Sequence, residues 1–159
     1  MELAPVLVVG LGLPAVALLL GLAWRARDGR VRRVASAAAT TSTDAAAVRD
    51  ADALGLPAAA FGADATLVQF STEFCSRCPA TARALGGLAD EYDGVRHVDV
   101  DLTHRRGLAD AFRVTQTPTV LVLGADGRAV ARIAGAPRLD EVREVIDSIT
   151  GRSRVPHHA

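Results

Sequence analysis

A strand-like run followed closely by two cysteines constrains the fold of this chain more than any other feature. Thr66 to Ser71 contains the apolar residues Leu67, Val68 and Phe70 and predicts a buried β-strand. Cys75-Ser76-Arg77-Cys78 follows it and contains the only two cysteines among 159 residues. Two thiols in a C-x-x-C arrangement favour reversible disulfide chemistry, with half of a zinc site or a purely structural pair as the alternatives.

The N-terminal part of the chain predicts a membrane anchor. Residues 3–24 carry no ionisable side chain, and about 20 apolar residues suffice for a helix to cross a bilayer. Glu2 precedes this run and five arginines follow Trp24, whereas a cleaved signal peptide has its positive charge in front. Because flanking arginines mark the cytoplasmic side, we expect a single-pass protein of the cell membrane with its globular part in the cytoplasm.

The chain divides into four parts. Residues 1–24 are the predicted transmembrane anchor, and residues 25–47 are an Arg-rich flank and a flexible linker of Ala, Ser and Thr. Residues 48–150 form one domain, and residues 151–159 are a polar tail. The length is sufficient for one domain of ordinary size beside the anchor.

Within the domain, the hydrophobic pattern alternates between strand and helix. The predicted elements are a short helix from about 43 to 55, strand 66–71, helix 79–92, strand 95–100, helix 103–112, strands 119–123 and 128–133, and helix 139–149. A strand, a helix and a strand in succession imply a parallel pair, and Gly124-Ala125-Asp126-Gly127 predicts an antiparallel hairpin. We therefore expect an α/β domain with a mixed four-stranded sheet covered by helices.

A second motif supports a particular family. Thr117-Pro118-Thr119 lies about 40 residues after the cysteines, directly before a predicted strand, and Gly135 follows the last strand. Together with residues 67–78, these features resemble the thioredoxin family over roughly residues 48–150. With the predicted anchor, the chain resembles membrane-anchored, TlpA-like thiol–disulfide oxidoreductases. The resemblance implies a three-layer thioredoxin-like fold with a mixed sheet, preceded here by one N-terminal transmembrane helix.

The two cysteines are expected to have different roles. A cysteine at a helix N-terminus faces the positive end of the helix dipole, which stabilises a thiolate and makes Cys75 the expected nucleophile. Cys78, one turn further on, is the expected resolving thiol. The resemblance also implies that Pro118 is cis beside the disulfide and that the backbone of Thr117 pairs with an extended substrate. Phe74, Ser76, Arg77, Thr117 and Pro118 are thus the predicted substrate-binding residues.

The sequence departs from the family pattern in three places. Phe74 replaces a common Trp, and Ser76-Arg77 replaces the Gly-Pro that reductive thioredoxins usually carry between the cysteines. Arg77 favours the thiolate of Cys75. Gln69 takes the place of the family's buried acidic residue, and because Gln accepts no proton, the resolving step needs water or another group.

No cofactor or metal is expected. His157 and His158 lie in a polar tail, His97 and His104 match no metal-ligand spacing, and the balanced charge gives no reason to expect nucleic-acid binding. The expected partners are protein dithiols and disulfides, an unidentified electron donor or acceptor, and the lipid bilayer through residues 3–24.

These observations predict a membrane-tethered oxidoreductase that reduces protein disulfides. Two alternatives are open. The domain could lie outside the cytoplasm as a thiol reductant for cytochrome c maturation or as an oxidant of secreted proteins, or it could be a thioredoxin-like binding module without catalysis.

Overall fold

The computed structural model describes residues 12–23, 29–34 and 50–151. Residues 12–23 are helical and are called α1. The other helices and strands, in chain order, are β1 (Val31–Arg33), α2 (Asp50–Leu54), β2 (Ala65–Ser71), α3 (Cys78–Ala89), β3 (Val95–Asp101), α4 (Arg106–Ala111), β4 (Thr119–Gly124), β5 (Ala129–Ala134) and α5 (Leu139–Thr150). The predicted alternation of strands and helices in the domain is confirmed, and most ends agree within one residue; the exceptions are the start of α4, the end of α3 and the start of α2, whose predicted position lies outside the described residues.

The strands form one mixed sheet in the order β1-β5-β4-β2-β3. β2 and β3 are parallel, whereas β4 is antiparallel to both β2 and β5, so the predicted parallel pair and hairpin are confirmed. The predicted number of four strands is wrong. The fifth strand, β1, pairs antiparallel with β5 and comes from residues that the sequence places in the Arg-rich flank. Three residues with two arginines carry no strand periodicity, so the sequence does not reveal β1. It pairs with the backbone groups that β5 leaves open and becomes the edge strand of the sheet.

The sheet is covered on both faces, which gives the expected three layers. All seven residues of β2 are buried, as befits a strand between two others and beneath helices on both sides. Leu85 and Leu88 of α3 and Ile146 of α5 pack against one face of the sheet. Leu54 of α2 and Phe112, just after α4, pack against the other.

Helix α4 is shorter than the sequence predicts. The expected helix begins near Thr103, but the carboxylate of Asp101 accepts hydrogen bonds from the backbone N–H and the hydroxyl of Thr103, at 2.8 and 2.6 Å. This side-chain turn delays the helix until Arg106. Arg113, with φ 49°, is in a left-handed conformation just beyond the other end.

Strand β1 is held along its whole length. The N–H of Gly29 donates to the carbonyl of Ala134 at 2.8 Å, and the N–H of Val34 donates to the carbonyl of Val130 at 3.0 Å. The N–H of Val31 donates to Oε2 of Glu141 on α5 at 2.8 Å. Gly29 has a φ of 76°, and a Cβ at this position would clash with the carbonyl oxygen of Ala136. Residues 29–34 are thus part of the folded sheet.

The predicted membrane anchor falls only partly within the described residues. Across the ranges that the structure describes, no helix combines the length and the apolar character needed to cross a bilayer. Residues 3–11 and Trp24 of the predicted span lie outside those ranges, so the anchor stays a prediction. The large apolar side chains of α1 are exposed, namely Leu13, Val16, Leu18, Leu19, Leu20 and Leu22. The predicted linker 35–47, the start of the short helix and the tail from 152 also lie outside the described residues.

The pairing of β1 predicts how a shortened domain behaves. A fragment of residues 35–151 should have a free energy of unfolding about 2–4 kcal/mol lower than a fragment of residues 29–151, since it loses several backbone hydrogen bonds worth about 1 kcal/mol each. Urea unfolding followed by circular dichroism measures this difference. A fragment of residues 42–151 is the control and should match 35–151. Equal midpoints for 29–151 and 35–151 would contradict a structural role for β1.

Candidate active site

The two cysteines lie just beyond the C-terminal end of β2, in the loop that leads into α3. They form a disulfide with a Cα–Cα distance of 5.4 Å. Helix α3 begins at Cys78, one residue before the predicted Pro79. Proline is well tolerated in the first turn of a helix, where backbone N–H groups have no intrahelical partner. The loop is a tight turn, because the N–H of Cys75 donates to the carbonyl of Thr72 and the N–H of Cys78 donates to that of Cys75, both at 3.1 Å.

The two sulfur-bearing residues differ in exposure. Cys78 is 3% exposed, whereas Cys75 is only half-buried. Because α3 begins at Cys78, Cys75 precedes the first helical residue by three positions rather than occupying the helix terminus itself. The loop nevertheless lies at the positive end of the α3 dipole, which favours a thiolate there. A reagent approaching from solvent therefore meets Cys75 first.

Three of the predicted substrate-binding residues surround Cys75 on the surface. Phe74 is 85% exposed, and Ser76 and Arg77 are exposed as well. The exposed ring of Phe74 offers an apolar contact directly beside Cys75 in the chain. The structure places these side chains as the sequence suggests, and their part in binding stays a prediction.

The loop before β4 meets the cysteine loop. The Thr117–Pro118 peptide bond is cis, as the resemblance implies, and Pro118 is buried. The hydroxyls of Thr117 and Thr72 lie 3.3 Å apart, which links this loop to the one that carries Cys75. The N–H of Gly135 donates to the carbonyl of Pro118 at 2.8 Å and fixes the loop from the β5 side. Residues about 40 positions apart in sequence thus form one surface.

Gln69 lies beneath the disulfide and is 0% exposed. Its Nε2 donates to the carbonyl of Cys78 at 3.1 Å and to Oδ2 of Asp99, the residue opposite it on β3, at 3.4 Å. Its Oε1 is buried without a hydrogen-bond partner among the described residues. Gln69 therefore connects the first turn of α3 to β3 with a neutral side chain, and the nearby carboxylate belongs to Asp99.

A hydrogen bond that supports the cysteine loop was not predicted from the sequence. The N–H of Glu73 donates to Oγ1 of Thr103 at 3.0 Å, and the Thr103 hydroxyl in turn donates to Asp101. The hydrogen bonds from the hydroxyl and the backbone N–H of Thr103 lower the pKa of the Asp101 carboxyl below its usual value. An Asp two residues before a Thr is a recognisable turn signal, but its contact with residue 73 depends on β2 and β3 lying side by side.

Within the described part of the chain, His97 and His104 form no metal-binding cluster with the cysteines. His97 lies in β3, and its Nε2 is buried without a hydrogen-bond partner among the described residues. Burial lowers the pKa of His97, and the charge of Asp99 partly opposes this shift. His104 is exposed, and His157 and His158 lie outside the described residues.

Comparisons with known proteins agree with this geometry. The sequence model of the Thioredoxin family matches residues 59–148. A thioredoxin of Aspergillus fumigatus is 31% identical over 84 residues, which cover 53% of this chain and 77% of that protein. A thioredoxin of Echinococcus granulosus is 29% identical over 103 residues, which cover 65% of this chain and 94% of the relative.

A solved structure shows the same likeness. A thioredoxin from Halobacterium salinarum superposes with a TM-score of 0.50 at 26% sequence identity, covering 58% of this chain and 79% of that one. The matched segment contains β2, the cysteine pair and the cis proline, which are the parts that form the site. The chain therefore belongs to the thioredoxin family and is a thiol–disulfide oxidoreductase.

Proposed function

We propose that this protein is a membrane-tethered oxidoreductase that reduces protein disulfides, with Cys75 as the nucleophile and Cys78 as the resolving thiol. The observation that carries the assignment of roles is the difference in burial. Cys75 is half-buried beside the exposed Phe74, whereas Cys78 is 3% exposed and forms the first residue of α3. A substrate disulfide can thus reach one sulfur and not the other.

The reaction has two exchange steps. In the reduced protein the Cys75 thiolate attacks one sulfur of the substrate disulfide, forming a mixed disulfide and releasing the other substrate sulfur as a thiolate. The Cys78 sulfur, deprotonated, then attacks Sγ of Cys75, which releases the second substrate thiol and leaves the Cys75–Cys78 disulfide. Two electrons pass to the substrate, and a dithiol donor must return two electrons before the next cycle.

The loop before β4 supplies a place for the substrate backbone. Thr117 precedes the cis proline and is only half-buried, and its hydroxyl lies within 3.3 Å of that of Thr72. An extended segment of substrate running past Cys75 can pair with the backbone of Thr117, as strands pair at a sheet edge. The exposed side chain of Phe74, the neighbour of Cys75 in the chain, adds an apolar contact.

The membrane part of the proposal rests on the sequence and on exposure. Residues 3–24 have no ionisable side chain, and the apolar side chains of α1 lie against no other part of the described structure that would bury them. An exposed apolar surface of this kind marks an interface, and an apolar run of this length matches the thickness of a lipid bilayer. The arginines that follow Trp24 favour a cytoplasmic domain, where the dithiol would be kept reduced.

Gln69 shapes the second step. A buried Gln donates and accepts hydrogen bonds but takes up no proton, so the Cys78 proton leaves by another route when the mixed disulfide is resolved. As a consequence, the buried side chain beneath the active site carries no charge. A carboxylate at this position would be buried and would face Asp99, which lies 3.4 Å from Nε2 of Gln69.

We predict that Cys75→Ser lowers the reduction of insulin, with dithiothreitol as electron donor, to the uncatalysed rate. Cys78→Ser should lack the intramolecular second step. When it is pre-reduced and freed of dithiothreitol, which would otherwise cleave the adduct, it should accumulate a mixed disulfide with insulin, because the first step needs only Cys75. Non-reducing electrophoresis detects this adduct. Circular dichroism of both variants and of the reduced parent controls for folding. An adduct on Cys78 in the Cys75→Ser variant would reverse the roles, and full insulin reduction by both variants would contradict catalysis.

We predict a pH-dependent loss of stability in Gln69→Asp that Gln69→Asn, its neutral isostere, does not share. Burial and Asp99 both raise the pKa of the new carboxyl in the folded state, so the two variants should be equally stable below the unfolded pKa of about 3.9. As the pH rises above this value, Gln69→Asp should lose about 1.4 kcal/mol for each unit by which its folded pKa is raised. Urea unfolding of both variants from pH 4 to pH 8 measures the difference. Parallel curves would show that position 69 tolerates charge.

A further inference from the structure

The strand β1 joins the sheet at the end that carries the active site. β2 runs toward the cysteines, and each of the next three strands in the sheet, β4, β5 and β1, is antiparallel to its neighbour. β4 therefore begins, β5 ends and β1 begins at the active-site end. Val31 pairs with Ile133 on β5, which pairs with Val120 on β4, and Val120 pairs with Gln69 on β2. Val31 and Gln69 therefore lie at the same height along the sheet.

The residues before β1 continue toward the active site. The N–H of Gly29 donates to the carbonyl of Ala134, the last residue of β5, and the N–H of Gly135, the residue after it, donates to the carbonyl of Pro118. With strands about 4.8 Å apart, Gly29 lies about 10 Å from the strand that follows Pro118 and about 14 Å from the line of β2. The left-handed φ of Gly29 and its close contact with Ala136 fix the path of the chain at this point.

Only five residue steps separate Gly29 from Trp24, the end of the proposed anchor. Fully extended, they span about 17 Å. If the whole segment from 25 to 47 were a free tether, its mean end-to-end distance would be about 26 Å and the domain could turn in any direction. Because β1 is paired, the end of the sheet with Cys75 is held near the anchor, and the opposite end lies one strand length, about 23 Å, further away.

The charges at the two ends of the sheet also favour an orientation with the active site toward the membrane. The loops 29–30, 72–77, 102–105 and 135–138 join the active-site end and carry four exposed arginines against one acidic residue: Arg30, Arg77, Arg105 and Arg138, with Glu73. The loops 61–64, 90–94 and 125–128 join the opposite end and carry five exposed acidic residues, namely Asp64, Asp90, Glu91, Asp93 and Asp126. Two of them face an arginine, Asp126 with Arg128 and Glu91 with Arg143 of α5. A surface of anionic lipid headgroups attracts the first end and repels the second.

We infer that the active site faces the membrane and acts on disulfides held at the bilayer surface, such as those in segments of membrane proteins next to the lipid headgroups. This inference rests on the proposed membrane tether and oxidoreductase activity. The exposed ring of Phe74 lies on the surface that would approach the headgroups. The strand β1 sets this orientation by fixing the domain at its active-site end.

The test uses the full chain in vesicles of phosphatidylcholine and phosphatidylglycerol that contain a phosphatidylethanolamine bearing a pyridyl disulfide on its headgroup. Attack by the Cys75 thiolate of the pre-reduced protein forms a mixed disulfide with the lipid and releases pyridine-2-thione, which is measured by absorbance. Cys78 then releases the lipid thiol and closes the protein disulfide. Soluble dithiodipyridine measures the intrinsic reactivity, and the ratio of the two rates reports access to the membrane surface.

Two insertions of the same flexible Gly-Ser segment, about 15 residues long, form a matched pair. One lies between Ala26 and Arg27, before β1, and the other between Ala38 and Ala39, after β1. The first should lower the rate ratio roughly eightfold, since effective concentration falls with about the −3/2 power of tether length. The second should leave the ratio unchanged, because it does not lengthen the path from anchor to active site.

The outcomes separate the inference from the proposals beneath it. Equal effects of the two insertions, or no effect of either, in a chain that floats with the vesicles and reacts with dithiodipyridine would overturn the inference alone. A parent chain that does not float with the vesicles would overturn the tether, and the inference with it. A parent chain that floats but does not react with dithiodipyridine would overturn the proposed chemistry of Cys75.

Discussion

The burial of β2 between two hydrogen-bonded neighbours is the constraint on which the rest of the structure depends. All seven of its residues are buried, and it pairs with β3 on one side and β4 on the other. A strand in this position has no freedom of register, since a shift by one residue would exchange the side chains of the two faces. The loop that leaves its C-terminal end therefore begins at a fixed point, and that loop carries Cys75.

The active site is made where separate loops meet at this fixed end. The cysteine loop contacts Thr117 through Thr72 and Thr103 through Glu73, while Gln69 supports the first turn of α3 from below. None of these contacts is strong by itself, at about 1 kcal/mol for a hydrogen bond. Together they hold the reactive sulfur half-exposed above a buried partner, which is the arrangement that a two-step exchange requires.

The strand β1 is the basis of the orientation that we propose for the domain at the membrane. Thioredoxin-like chemistry needs only the sheet, the cysteines and the proline, and all of these lie within the segment that the family model matches. β1 lies before that segment and pairs with β5 at one edge of the sheet. Its first residue, Val31, lies at the same height along the sheet as Gln69. Its arginines fit both an edge strand, where charge prevents pairing with other chains, and a position near anionic lipid.

The sequence by itself determined the alternation of strands and helices, the family and the two cysteines, because hydrophobic periodicity and the spacing of Cys75, Cys78 and Pro118 are local patterns. It also predicts the anchor, because a long run without ionisable side chains is visible in the composition of that segment alone. The sequence did not reveal β1, the pairing of Gln69 with Asp99 or the contact of Thr103 with residue 73. These depend on which strands lie side by side and in which register, and hydrogen bonding between distant segments decides that only when the whole sheet has formed.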